Sequence, residues 1–375
     1  LRVGSVKTTV GIATNDGAAD LLVEGDDRFL MVEQPVTAHA DSAFTADKIQ
    51  IGASIDVGGH VLTLRPESTA DAGDEVFFGP SPPAPWYDTQ WSYRLKVTVN
   101  SSDVDGDLEE FPVYVDLGDL PAEFFDEVNA DGGDIRVTAS DRTTELPREL
   151  VTIDTGANSG ELHFKAPELS GSSDTEFYIY YGHSAASDYA ESATCGASNV
   201  WTNAYAMVQH LEETPAGTGG THYDSAANDR HGVTSGGVTT DVGGQLDGAD
   251  SFDGNDDYVD IGAVESLNGS STATIEYWTD KTSGEIATVG SDTASNNGLW
   301  LAWWSNGKIF FSVRNGADGG YTSNPGYEAG SHYLAGVYDG SLAGLDRTKV
   351  YKDGTELAGS LQGFGPATDR ISDTG

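Results

Sequence analysis

The sequence predicts an all-β protein: tandem antiparallel β-sandwiches preceded by a small N-terminal β domain. Three observations carry this prediction. Clusters of Gly, Asn and Asp, with Gly alone at 47 of 375 residues, cut the chain into short runs. Within those runs apolar and polar residues alternate or nearly alternate, as half-buried strands require, while no long segment keeps the ~3.6-residue apolar period of an amphipathic helix. The chain is also too long for one ordinary sandwich, so two or three domains are expected.

The elements follow in order. Residues 1–80 hold β-type runs at 48–55, 60–64 and 75–78 and no recognisable motif, and read as a small β segment for anchoring or assembly. The stretch 79–85, Gly-Pro-Ser-Pro-Pro-Ala-Pro, is a stiff linker with extended-chain preference. A first sandwich is expected over 81–192, with strands at 94–99, 111–117, 134–139, 161–165 and 176–181. A second is expected over 199–375. There the Trp-rich run 300–304 and the run 309–313 flank Asn306-Gly307, and 349–357 is broken by Asp353-Gly354. Both are hairpin signals, because such pairs accept the positive φ of a tight turn.

Charge sets the environment. Against 60 Asp+Glu stand 19 Lys+Arg, a net charge of −41. The acids are spread along a chain that is 38% hydrophobic and 10% aromatic, which argues for a folded protein rather than an acidic tail. Self-repulsion at this density opposes compaction in dilute buffer, but the Debye length falls to about 3 Å at 1 M salt and removes most of it. The composition resembles that of proteins from extremely halophilic archaea and their viruses. It excludes nucleic acid and anionic lipid as direct partners, since a basic footprint is missing. Apolar stretches fall far short of the ~20 residues of a membrane span, so no membrane insertion is expected. Cys195 is the single cysteine and cannot close an intrachain disulfide. The chain opens at Leu1 without a basic, apolar leader, so its start is expected to be processed, trimmed or read from an unusual start codon.

Several motifs then occur in order. Trp91-Ser-Tyr-Arg94, Phe111-Pro-Val-Tyr-Val115, Asp131-Gly-Gly-Asp-Ile-Arg136, Leu146-Pro147 and Tyr178-Ile-Tyr-Tyr-Gly182 resemble an extracellular β module of unknown function with a WxYR start. His210-Leu-Glu212, Asp224-Ser225, Asn228, His231-Gly232, the run 251–260 and Thr274-Ile-Glu-Tyr-Trp278 are similar to the opening of a concanavalin A-like or laminin-G-like lectin domain. The resemblance covers roughly residues 86–375 and implies a jelly roll for the last domain. The closing Asp-Glu-hydrophobic-Arg type motif of such domains is missing before Gly375, so that domain is expected either to be truncated or to end differently.

Candidate binding residues come from two sources. The oxygen-rich segments around Asp224, Asn228, Asp253 and Asp256 could supply the six to eight hard ligands that Ca²⁺ takes, and the resemblance implies a calcium ion there. Asp and Asn also serve every turn through local backbone bonds, so solvated turn acids are the competing reading. Trp300, Trp303 and Trp304, with Tyr277, Trp278 and Tyr338, could form an aromatic platform for sugar rings. Period-2 geometry sends Trp300 and Trp304 to one face and Trp303 to the other, so at least one face is core and buried sandwich aromatics are the competing reading; Trp300 and Trp304, with Tyr338, are the expected carbohydrate-binding residues. His210 reads as a packed core residue on an apolar strand. The sequence shows no HExxH or His/Cys cluster. Glu212 and Glu213 are adjacent, so a strand would point them to opposite faces, and the Glu-x-Asp-x-x-Glu strand of some related glycosidases is absent.

The resulting expectation is a non-enzymatic, lectin-like surface protein. Its expected location is the virion surface of a tailed haloarchaeal virus, as a turret, spike or fibre. Expected partners are a host-surface glycan or S-layer glycoprotein, other virion proteins through the N-terminal segment, and further copies of itself as a homo-oligomer. The alternatives are a cell-surface adhesin of a halophilic archaeon and a carbohydrate-binding protein associated with a glycoside hydrolase.

Overall fold

The computed structural model describes residues 86–214, 219–246, 248–281, 287–290, 297–304, 306–315, 318–323, 328–360 and 371, together with the backbone of ten short strands between residues 2 and 78. The chain forms two compact units, Leu1–Trp86 and Tyr87–Gly375. The division between them falls at Trp86 and Tyr87, directly after the proline-rich stretch in the sequence. No described helix is long and apolar enough to cross a membrane.

The first unit is β-structured but parallel. Arg2–Gly4, Leu21–Glu24, Ser42–Thr45 and Leu62–Arg65 form one ladder. Val6–Thr8, Phe29–Val32, Lys48–Ile51 and Glu75–Phe78 form a second. Val36–Thr37 and Ile55–Asp56 start a third. Each successive turn of chain lays its strands beside those of the turn before, the wiring of a parallel β-solenoid. Parallel neighbours need a long return connection, which is why short β runs recur here without hairpin signals.

Tyr87–Gly375 opens with a sandwich. One sheet orders Tyr93–Val99, Thr175–Tyr181, Arg136–Thr138 and Glu145–Leu146; the other orders Leu108–Asp116, Ser159–Leu169 and Arg148–Asp154. All five expected strands are present. Alternation sends Val113, Val115, Leu162, Phe164, Phe177 and Ile179 inward to a common core. The one described α-helix, Ala122–Glu127, seals that core with Phe124 and Phe125.

The C-terminal part also packs two antiparallel sheets. Thr272–Lys281, Gly330–Asp339, Thr348–Lys352 and Thr355–Glu356 make one. Ala287–Gly290, Asn297–Trp303, Ile309–Asn315, Asp318–Ser323 and Gly359–Ser360 make the other. Leu301, Trp303, Ile309, Phe311, Leu334 and Val350 are fully buried between them.

Both predicted hairpins form, by different turns. Lys352 pairs with Thr355, and Asp353 (φ 49°) and Gly354 (φ 76°) both take positive φ, giving a two-residue loop. At the other, Trp304 N–H donates to Lys308 O and Gly307 alone of the Asn-Gly pair has positive φ, so the loop has one more residue and closes with glycine in the left-handed region.

Candidate functional site

The outward face of the Thr272–Lys281 sheet carries an exposed indole among polar groups. Alternation along that strand puts Ala273, Ile275 and Tyr277 against the core and leaves Thr274, Glu276 and Trp278 exposed. Trp278 is directly opposite Tyr333, and Ala335 is directly opposite Tyr351 on the next strand, so the three rings share one face. Trp278 is 43% exposed, a large value for an indole in a sheet, and its ring lies 5.4 Å from that of Tyr333. Hydrogen-bonding groups flank the rings. The Tyr333 hydroxyl donates to Glu276 Oε2 at 2.5 Å, and Glu356 Oε2 accepts from Lys349 Nζ at 3.1 Å and from the Tyr351 hydroxyl at 3.4 Å. Burial, then the bond to Glu276, raises the Tyr333 phenol well above its ordinary value, so its proton stays with the tyrosine.

The expected platform is distributed differently. Trp300 and Trp304 do share a face, with rings 6.0 Å apart and both against Phe310. Phe310 and Ala302 on that face are buried, which leaves the two indoles only half-exposed. Trp303 is in the core, as alternation required. Tyr338 is not a platform residue: at 1% exposure it belongs to the core between the two sheets, and an enclosed ring offers no face to a sugar. Period 2 along Gly330–Asp339 explains the exchange, since buried Leu334, Gly336 and Tyr338 alternate with half-buried Tyr333 and Val337 and buried Ala335 on the opposite face.

The calcium candidates separate into two groups. Asp224 holds a loop together: Oδ1 accepts from the N–H groups of Val208 and Ala226, and Oδ2 from that of Arg230, at 2.8 to 3.0 Å. Asn228 donates its amide to the carbonyls of Tyr205 and Ala206. These two residues do the turn work that Asp and Asn commonly do. Asp253, Asp256 and Asp257 each bring a carboxylate oxygen within 4.8 Å of the others at the surface, and Asn255 donates to both oxygens of Asp253.

The motifs at 91–94, 131–136 and 178–182 converge on a buried polar knot. Trp91 Nε1 donates to Asp134 O at 2.6 Å, while the Asp134 carboxylate accepts from the N–H groups of Asn129, Gly182 and His183. Arg136 stacks over Tyr189 and Trp91 and donates to the carbonyls of Gly133, Ile135 and Ser187. Arg148, 2% exposed, donates to Ile135 O and pairs with Asp188 at 2.9 Å. These contacts tie the knot to itself, the pattern of an architectural element.

Glu149, Glu161, His163 and His210 form a second buried polar group. Glu161 and His163 are two apart on Ser159–Leu169 and so project from the same side, opposite core residues Leu162 and Phe164. Glu149 is directly opposite His163 on the neighbouring strand. His210 arrives from the segment that leads into the C-terminal part, positioned by the bridge between Gln209 and Asp224. Glu161 Oε1 is 2.6 Å from His163 Nε2 and 3.1 Å from His210 Nδ1; Glu149 Oε2 is 3.2 Å from His210 Nε2. Trp201 Nε1 donates to the same Glu149 oxygen at 2.5 Å. Burial alone would lower the His210 imidazole, but its bonds to Glu149 and Glu161 outweigh that and lift it to about 10. The Glu161 carboxyl, which burial alone would raise, is drawn down to about 2 by its bonds with both histidines. Chain position hides this group: His163 and His210 are far apart in sequence, and only the Glu-Leu-His spacing at 161–163 signals a shared polar face.

Residues 131–204 match the family model described as a domain of unknown function, DUF2341. The match begins inside the module expected at 81–192 and runs beyond it, taking in Trp201. Comparison with curated proteins and with solved structures gives no match.

Proposed function

We propose that this chain is a non-enzymatic surface-display protein working in concentrated salt, and that its C-terminal part is a lectin-like module that binds a glycan through the face carrying Trp278, Tyr333 and Tyr351. The exposed ring of Trp278 against half-buried Tyr333, beside Glu276, carries this reading. Flat apolar rings match the C–H face of a sugar, and adjacent carboxylates accept its hydroxyls. Such amphipathic side chains are suited to surfaces where one part is apolar and the rest wet.

On composition and module order we assign it to the virion surface of a tailed haloarchaeal virus, with a host-surface glycan or S-layer glycoprotein as ligand. If Ca²⁺ takes part, Asp253, Asp256 and Asp257 are the residues placed to hold it. Mass spectrometry of purified particles tests the location: the chain is expected among the structural proteins, and its absence there together with recovery from cell envelopes would assign it to a cell-surface adhesin instead.

A further inference from the structure

We infer that His163, His210 and Glu161 form a binding site for a divalent transition metal of the zinc class, with Glu149 as the group that orients His210. The metal would tie the segment leading into the C-terminal part onto the outer face of the first sandwich.

Geometry comes first. One carboxylate oxygen of Glu161 lies between two imidazole nitrogens, His163 Nε2 and His210 Nδ1, and the three atoms are all within 4.8 Å of one another. In a tetrahedral zinc site with bonds of about 2.0–2.1 Å, ligand atoms stand about 3.3 Å apart, so only a slight opening of this group admits the ion. Glu149 supplies the outer contact that metal-bound histidines usually have. With Nε2–H of His210 directed to Glu149 Oε2, Nδ1 faces the site, where the metal would take the place of the proton shared with Glu161, and Trp201 fixes Glu149 in turn.

Charge and donor type point the same way. Two carboxylates buried with two imidazoles need two positive charges for neutrality, and one divalent cation supplies both without protonating either ring. Buried charge left uncompensated is costly. Two nitrogens and an oxygen suit zinc, copper or nickel, whereas Mg²⁺ and Ca²⁺ prefer all-oxygen shells. That preference matters in brine, where hard cations are abundant and a carboxylate-only site would not discriminate. The carboxylate cluster of exposed Asp253 and Asp256 with half-buried Asp257 is of that kind and serves as an internal contrast.

The experiment uses the whole chain, stripped with chelator and returned to molar KCl. Zn²⁺ titration is expected to give one tight site and a rise in melting temperature. X-ray absorption on the Zn²⁺-loaded wild-type protein is expected to show two imidazoles in the metal shell. His163→Gln should lose the tight site, and Glu149→Gln should weaken it about 10- to 100-fold. The wild-type absorption measurement stands even if a variant does not fold. No tight binding, a shell of oxygen alone, or unchanged affinity in folded His163→Gln would overturn the inference and leave a hydrogen-bonded lock in its place.

Discussion

Trp91 Nε1 donates to the main-chain oxygen of Asp134 at 2.6 Å, joining the opening motif of the first sandwich to the Gly-Gly-Asp-Ile-Arg motif 43 residues later. Around that bond Arg136 lies against the indole, and the Asp134 carboxylate fixes the turn at Gly182. The separate sequence motifs are thus parts of one knot.

Trp91→Ala should therefore cost about 3–5 kcal/mol, the usual range for a buried aromatic, and Trp91→Phe should recover the packing but not the bond. Chemical denaturation of both variants checks this. Equal losses would mean that the hydrogen bond, and not the ring volume, carries the effect.

Gly336 lies under Phe311: a Cβ there would stand 2.6 Å from Phe311 Cδ2. Phe311 is fully buried between the two C-terminal sheets and has no room to retreat. Gly336→Ala is expected to destabilise by about 1–3 kcal/mol through overpacking, measured as a lower denaturation midpoint.

Asp250 gives a pH signature. His222 is fully buried, with Glu213 Oε2 2.8 Å from Nδ1 and Asp250 Oδ2 2.9 Å from Nε2. Burial raises the Asp250 carboxyl to about 6 despite the attraction of His222. A folded pKa above the unfolded one favours the folded state at low pH, and that contribution is lost as pH rises through the folded value. Relative to wild type, Asp250→Asn should thus gain melting temperature between about pH 4 and pH 7. A relative loss over that range would show that the ionised pair stabilises the fold.

Salt should stabilise the whole molecule. With a net charge of −41, the melting temperature is expected to climb steeply as KCl rises from about 0.1 M to 1 M, where the Debye length falls from about 10 to 3 Å. A flat response would remove the adaptation to brine from the account.

How much of this was legible in the sequence depended on contact distance. Strands of the two antiparallel parts follow from alternation, and the hairpins at 304–308 and 352–355 from local Asn-Gly and Asp-Gly pairs. Parallel pairing in the first unit has no local signature, because Arg2 meets Leu22 and Ser42 meets Leu62 only through long returns. Site residues divide similarly. Alternation separates Trp303 from Trp300 and Trp304, but which face stays open depends on what packs against it, and so Trp278 replaces Tyr338 at the surface. His210 was readable as packed, yet its partners His163, Glu149 and Glu161 come from another module, which no spacing along the chain reveals.

Glycan binding by the Trp278 face is the central claim, and a glycan array in molar KCl, with wild type and Trp278→Ala side by side, tests it most directly. Because Trp278 is exposed, the variant should keep the wild-type melting temperature. The account predicts that wild type binds a defined set of glycans and that the variant loses them. Retention of the same glycans at the same strength by the folded variant, or no glycan bound by either, would contradict it.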